Sequence, residues 1–197
     1  MKASEIKMLR DRWSDPKTCS NAIAFIHGKG DAPFTRTAEQ NEDLRGLPVS
    51  AMLREASLEY VDMSAATLEG FGQFIECSLR QCKLVKGSFT TNLGNAFYTC
   101  DFSTATLAGA MVRGSFTECD FTKSNLTGCM GVQCRFVRCR FHQTNFRKAT
   151  LIQCLFENCS FEQCKFGNGS LASSRFIDSK IAPETLGNTL MENAVFE

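Results

Sequence analysis

The chain has 197 residues, enough for one substantial domain, and a hydrophobic content of 43% that allows an ordinary packed core. A formal net charge of +1 shows neither the basic excess of a nucleic-acid binder nor the acidic excess of a nucleic-acid mimic. No apolar run approaches the roughly 18 residues of a membrane span, and residues 1–13 are charged where a signal peptide would be apolar, so the chain reads as soluble and cytoplasmic.

In chain order, residues 1–48 come first. Ile6, Leu9 and Trp13, then Ala22, Ile23 and Ile26, recur at helical spacing, and Pro16 separates the two segments. Gly28-Lys29-Gly30 lacks the rest of a phosphate-binding loop and reads as a helix end. Residues 43–48 would lead the chain onward. Residues 39–76 are rich in acids: Glu39, Glu42, Asp43, Glu55, Glu59, Asp62, Glu69 and Glu76.

A five-residue repeat fills the remainder. Its first stretches centre on Leu53, Leu58, Met63 and Leu68, then Phe74, Leu79, Leu84 and Phe89, then Phe97, Phe102, Leu107 and Val112. The spacing breaks at 68–74, 89–97 and 112–116. From Phe116 to Phe196 every fifth residue is large and apolar except Gly131. Two residues before each centre stands a small side chain, such as Cys119, Ser124, Cys139, Thr144 or Ala149; Glu184 is the exception in that run, and Ala51 and Gly72 take this place upstream. A period of five fits neither a helix at 3.6 nor a strand at 2.

Ala66-Thr67-Leu68, Cys119-Asp120-Phe121, Ser124-Asn125-Leu126 and Thr144-Asn145-Phe146 follow the pattern A-(D/N)-L-x-x. Over residues 50–196 the chain resembles the pentapeptide-repeat family. The resemblance implies a right-handed quadrilateral parallel β-helix with four pentapeptides per coil, hence about seven coils over that length, and with centre and small residue facing inward. Every twentieth residue is then a neighbour in the stack. Phe116, Phe136, Phe156, Phe176 and Phe196 form one column; Phe121, Phe141, Phe161 and Ile181 the next; Leu126, Phe146, Phe166 and Leu186 the third; Gly131, Leu151, Leu171 and Met191 the fourth. Like stacks on like, as ladder packing favours. In this scheme all three breaks fall at the corner between the fourth and first faces, with the largest bulge at residues 91–96. A solenoid exposes core at its ends, so residues 1–48 are expected to form a helical N-terminal cap on a β-helix of residues 49–197.

Ten of the 11 cysteines occupy the small inward position; Cys19 does not. Thiols one coil apart, about 4.8 Å, with parallel Cβ directions suit neither a disulfide nor zinc, and a free Cys is a good small filler. His27 and His142 form no recognisable nucleophile–base arrangement. No catalytic residue, metal or cofactor is expected.

Between Phe121 and Phe156 there is no acid, while Arg135, Arg138, Arg140, His142, Arg147 and Lys148 lie at outward positions. They would make a basic belt for an acidic partner. The repeat runs to Phe196, so Ile181, Leu186, Met191 and Phe196 would present an apolar end. Either a two-fold homodimer covers it, the reading favoured here, or residues 183–193 fold back as its own cap.

The function expected is a non-enzymatic protein-interaction scaffold for a protein partner. Direct nucleic-acid binding and membrane association are not expected. The resemblance also implies an alternative: some family members mimic DNA, bind DNA gyrase or topoisomerase IV, and confer quinolone or toxin resistance. A near-zero net charge and a helical cap depart from that subgroup.

Overall fold

The computed structural model describes all residues except 51, 69–72, 86 and 91, together with the side chains of Glu76, Asn92, Asn95 and Pro183. Two helices, α1 (Ala3–Asp11) and α2 (Pro16–Ile26), precede a parallel β-solenoid of about seven turns, and a one-turn helix, α3 (Pro183–Leu186), interrupts its last coil. Four columns of inward side chains define four faces. On face one, parallel pairing runs Leu58, Leu79, Phe97, Phe116, Phe136, Phe156, Phe176, Phe196. Face two carries Met63, Leu84, Phe102, Phe121, Phe141, Phe161 and Ile181, each following a bridged residue. Face three carries Val49, Leu68, Phe89, Leu107, Leu126, Phe146 and Phe166. Face four carries Leu53, Phe74, Leu93, Val112, Gly131, Leu151, Leu171 and Met191.

Each position of the pentapeptide has a physical task. The central side chain is buried on almost every face. The Asp or Asn before it closes a local turn: Asp62 Oδ1 accepts from the Ser64 N–H (2.8 Å), Asp101 from Ser103 (2.8 Å), Asp120 from Thr122 (2.8 Å) and Asn125 from Thr127 (3.1 Å). Two residues after the centre the backbone turns the corner with positive φ, as at Lys123 (58°), Arg138 (52°), Gln143 (55°) and Lys148 (60°). Such angles cost non-glycine residues on the order of 1–3 kcal/mol. Each corner is fixed by a bond to the next coil: Lys123 N–H donates to His142 O (2.7 Å) and Gln143 N–H to Glu162 O (2.7 Å).

The small inward position is a donor site as well as a filler. Cys139 Sγ donates to Phe116 O (3.2 Å), Cys159 Sγ to Phe136 O (3.3 Å) and Cys100 Sγ to Leu79 O (3.3 Å). Thr144 Oγ1 does the same to Phe121 O (2.7 Å) and Ser174 Oγ to Leu151 O (2.9 Å). The Cys, Ser and Thr alphabet of this position follows, because an adjacent-coil carbonyl there can take a second hydrogen bond. All eleven cysteines are free thiols and the ten in the solenoid are buried. Burial pushes Cys129 and Cys164 up to about 12.

The irregular steps differ from the sequence expectation. Leu93, fully buried, is a face-four centre. The interval 89–97 is therefore two four-residue steps, and the coil there is shortened rather than bulged. The strands Gln73–Arg80 and Asn92–Tyr98 run unbroken from face four to face one. The long step at 68–74 lies between faces three and four, where residues 69–72 are outside the described set, as are Ala51 and Thr91. The departures thus flank face four on both sides instead of gathering at one corner. Gly114, which stands two residues before Phe116 and is therefore expected inward by the five-residue rule, is instead an exposed corner with φ 85° in the four-residue step from Val112 to Phe116.

Solenoid pairing begins inside residues 1–48. Glu42–Asp43 pairs with Val61–Asp62, and Pro48–Val49 with Thr67–Leu68. The helices lie against this first coil. A Cβ added at Gly46 would come 2.5 Å from the Leu9 carbonyl oxygen, so only glycine admits α1 so closely. Arg12 and Arg45 both clasp the Asp43 carboxylate, at 2.6–2.9 and 2.8–3.0 Å. Burial acts to raise the Asp43 carboxyl, but those guanidinium hydrogen bonds outweigh it and hold it well below the usual carboxylate range. Trp13 Nε1 donates to Arg45 O (2.8 Å). At the end of α2, Gly28 (φ 70°) and Lys29 donate back to Phe25 O and Ala24 O, both at 2.8 Å, a Schellman ending.

Candidate functional site

The six basic-belt residues fall in a single coil that wraps faces one, two and three. Arg135 points outward from face one, and Arg138 turns the corner to face two. Arg140 and His142 flank Phe141; Arg147 follows Phe146 on face three, and Lys148 turns the next corner. Alternation about the buried Phe centres turns Arg135, Arg140, His142 and Arg147 outward, and the positive-φ corners do so for Arg138 and Lys148.

Stacking brings acids to half of them. Arg138 pairs with Glu118 in the coil before (2.9 Å). Arg135 pairs with Glu157 in the coil after (3.6 Å), and His142 Nδ1 meets Glu162 Oε2 at 3.1 Å. Arg140, Arg147 and Lys148 have no ion-pair partner among the described residues and are exposed. The belt is thus a ridge of three free cations at faces two and three, not a continuous band. Linear reading missed the neutralising acids because they lie one coil away; stepping by twenty from Arg138 and His142 finds Glu118 and Glu162.

The C-terminal residues do not make one flat patch. Leu186, the last residue of α3, is buried, Ile181 and Met191 are half-buried, and Phe196 is half exposed while stacked on Phe176 at 4.8 Å. Chain pairing resumes after α3, with Leu190 bridged to Ser170 and Val195 to Arg175, so residues 187–196 continue the coil rather than folding back. A cavity of about 660 Å3 opens where α3 replaces the strand, lined by Phe161, Ile181, Leu186 and Phe196 among others.

Among the described residues no group of three or more His, Cys, Asp and Glu side chains is placed to hold a metal ion. Nor is any helix there long and apolar enough to cross a membrane.

Four faces, a five-residue repeat and Asx-closed turns define a quadrilateral β-solenoid. Residues 109–186 match the family model for a pentapeptide repeat region, and the chain carries a pentapeptide-repeat β-helix. Among curated proteins, no relative matches the chain. Solved structures similar to it include trypsin-treated QnrB1, a plasmid-mediated fluoroquinolone resistance protein, at 13% identity and a TM-score of 0.40, covering 76% of this chain and 85% of that one. HetL from the cyanobacterium Nostoc sp. strain PCC 7120, a pentapeptide repeat protein involved in heterocyst differentiation regulation, matches at 13% identity and a TM-score of 0.37, covering 88% of this chain and 90% of that one.

Proposed function

We propose that the protein is a non-enzymatic scaffold that holds an acidic surface of a protein partner against Arg140, Arg147 and Lys148. The observation that carries this reading is the contrast within one coil: Arg135, Arg138 and His142 are satisfied by neighbouring carboxylates, while the other three cations face solvent on adjacent faces. A rigid backbone confines the ordering cost of binding to the cations' own side chains, and exposed, unpaired charges on it suit electrostatic docking. A DNA mimic needs a strongly negative potential along its faces. Here the carboxylates of Glu118, Glu157 and Glu197 are paired with arginines, and the net charge is +1, which favours the scaffold over a topoisomerase-binding mimic.

The test is affinity capture from the native host with the wild-type chain and with the triple variant Arg140→Glu, Arg147→Glu, Lys148→Glu. A partner retained by the wild type, released by moderate salt and absent from the variant supports the reading. The same partners on both, or a partner held through high salt, contradicts it. Protection of gyrase supercoiling by the wild-type chain would return the mimic to first place.

A further inference from the structure

The outward side of face four differs from the other three. Among the large apolar side chains exposed outside the N-terminal helix region, Met52, Met111, Met130, Val132 and Leu190 lie on it, while Tyr60, Val195 and Phe196 do not. Its outward positions carry three charges. Arg54 is at the first level, Glu192 at the last and Arg113 near the middle, and none has an ion-pair partner among the described residues. Face one, by contrast, pairs its own charges through Arg135–Glu157 and Arg175–Glu197.

The order of residues along face four is complementary to its own reverse at its ends and at most of its levels. Eight levels stack from Leu53 to Met191, and the midpoint falls between Val112 and Gly131. A two-fold axis through that midpoint, lying in the face and along the strands, sets two copies antiparallel with like columns opposed. Arg54 then meets Glu192 of the second copy, twice. Met52 meets Leu190, and Met111 meets Met130, while Arg113 comes opposite Val132, the one charge on this face that the rotation leaves unmatched. Size matches as well as charge: Ile75 comes opposite Ala172, and Ile152 opposite Gly94, which has no side chain.

We propose that face four is the contact surface of an antiparallel two-fold dimer of this chain. The occupant is a second copy because an isologous interface requires self-complementarity under one rotation, which Arg54 and Glu192 supply at both ends of the face, and because methionine-rich apolar surface suits such a contact better than solvent. The proposal is independent of the basic ridge, which lies on faces two and three and stays open in the dimer.

The experiment is mass by sedimentation or light scattering on the full chain at micromolar concentrations, with thermal melts confirming that each variant folds. The wild type is expected at twice the monomer mass. Met130→Glu, a change at an exposed position, is expected to halve it. Arg54→Glu is expected to halve it too, by setting a second carboxylate against that of Glu192, and adding Glu192→Arg is expected to restore the dimer. A wild-type monomer, or a dimer indifferent to Met130→Glu, overturns the proposal. A dimer split instead by Phe196→Glu places the contact at the C-terminal end and overturns it as well. A dimer that Met130→Glu splits but Arg54→Glu leaves whole overturns the antiparallel register.

Discussion

The two halves of the solenoid keep the same register by different means. From Phe116 onward the face-one residue recurs every twenty positions, and aromatic rings stack through the core: Phe116 on Phe136 (5.0 Å, 12°), Phe136 on Phe156 (5.0 Å, 6°), Phe121 on Phe141 (5.1 Å, 16°) and Phe146 on Phe166 (4.8 Å, 4°). Before Phe97 the face-one and face-two centres are aliphatic, and from Leu58 to Phe116 successive coils take twenty-one, eighteen and nineteen residues. Yet Phe97 still stacks on Phe116 at 4.8 Å and 5° across the nineteen-residue coil. Register therefore belongs to the faces and their ladders, not to residue count. Every gain or loss is absorbed beside face four, whose interior column (Leu53, Phe74, Leu93, Val112, Gly131) changes size from level to level.

The comparison is broken most severely by moving a deletion from one corner to another. Removing Gln143, at the corner between faces two and three, would shift the ring columns and turn inward residues outward. The loss should approach the whole stability of a domain, about 5–15 kcal/mol, and be read as absence of a cooperative melt. Removing Gln133 with Cys134→Gly recreates the natural Val112–Phe116 step beside face four and should cost only about 1–3 kcal/mol. Equal effects would refute the special status of face four.

A smaller perturbation sharpens the role of the ring ladder. Phe136→Ala removes a fully buried ring stacked on both neighbours and should cost about 3–5 kcal/mol in denaturant melts. Gln133→Ala, at an exposed corner, should stay within about 0.5 kcal/mol.

A local effect, smaller than the loss of a ring, lies where the aliphatic half meets the helices. Asp43 is held ionised by Arg12 and Arg45. Its folded value is depressed, so its contribution is complete above the unfolded value, about 3.9, and is lost as pH falls from there toward the folded value. The helices should loosen first on acidification, by about 1–3 kcal/mol for the charge-assisted bonds. Native hydrogen exchange of α1 against the strand Arg135–Val137 measures it; Asp43→Asn should remove the pH dependence.

Much of this was legible in the sequence. The five-residue period placed the Phe columns and the inward cysteines because both follow from which side of the chain meets the core. Leu93 was missed since it stands four residues from each neighbouring centre, Phe89 and Phe97, and a search by fives steps over it. The belt was overread because neutralisation depends on residues twenty positions away, as Glu118 does for Arg138. The Arg12–Asp43–Arg45 clasp had no signal in the chain at all, since it depends on how the helices lie against the first coil.

The architecture is tested most directly by which thiols react in the folded protein. Ten cysteines point inward among Phe and Leu, while Cys19 is half-buried, donating to Trp13 O at 3.3 Å. Thiolates are the reactive species, and burial with pKa values near 12 at Cys129 and Cys164 suppresses them. Maleimide labelling under native conditions, followed residue by residue by mass spectrometry, should modify Cys19 first and leave the ten solenoid cysteines intact until the chain unfolds. Rapid native labelling of Cys119, Cys139 and Cys159 would contradict the inward columns and the fold built on them.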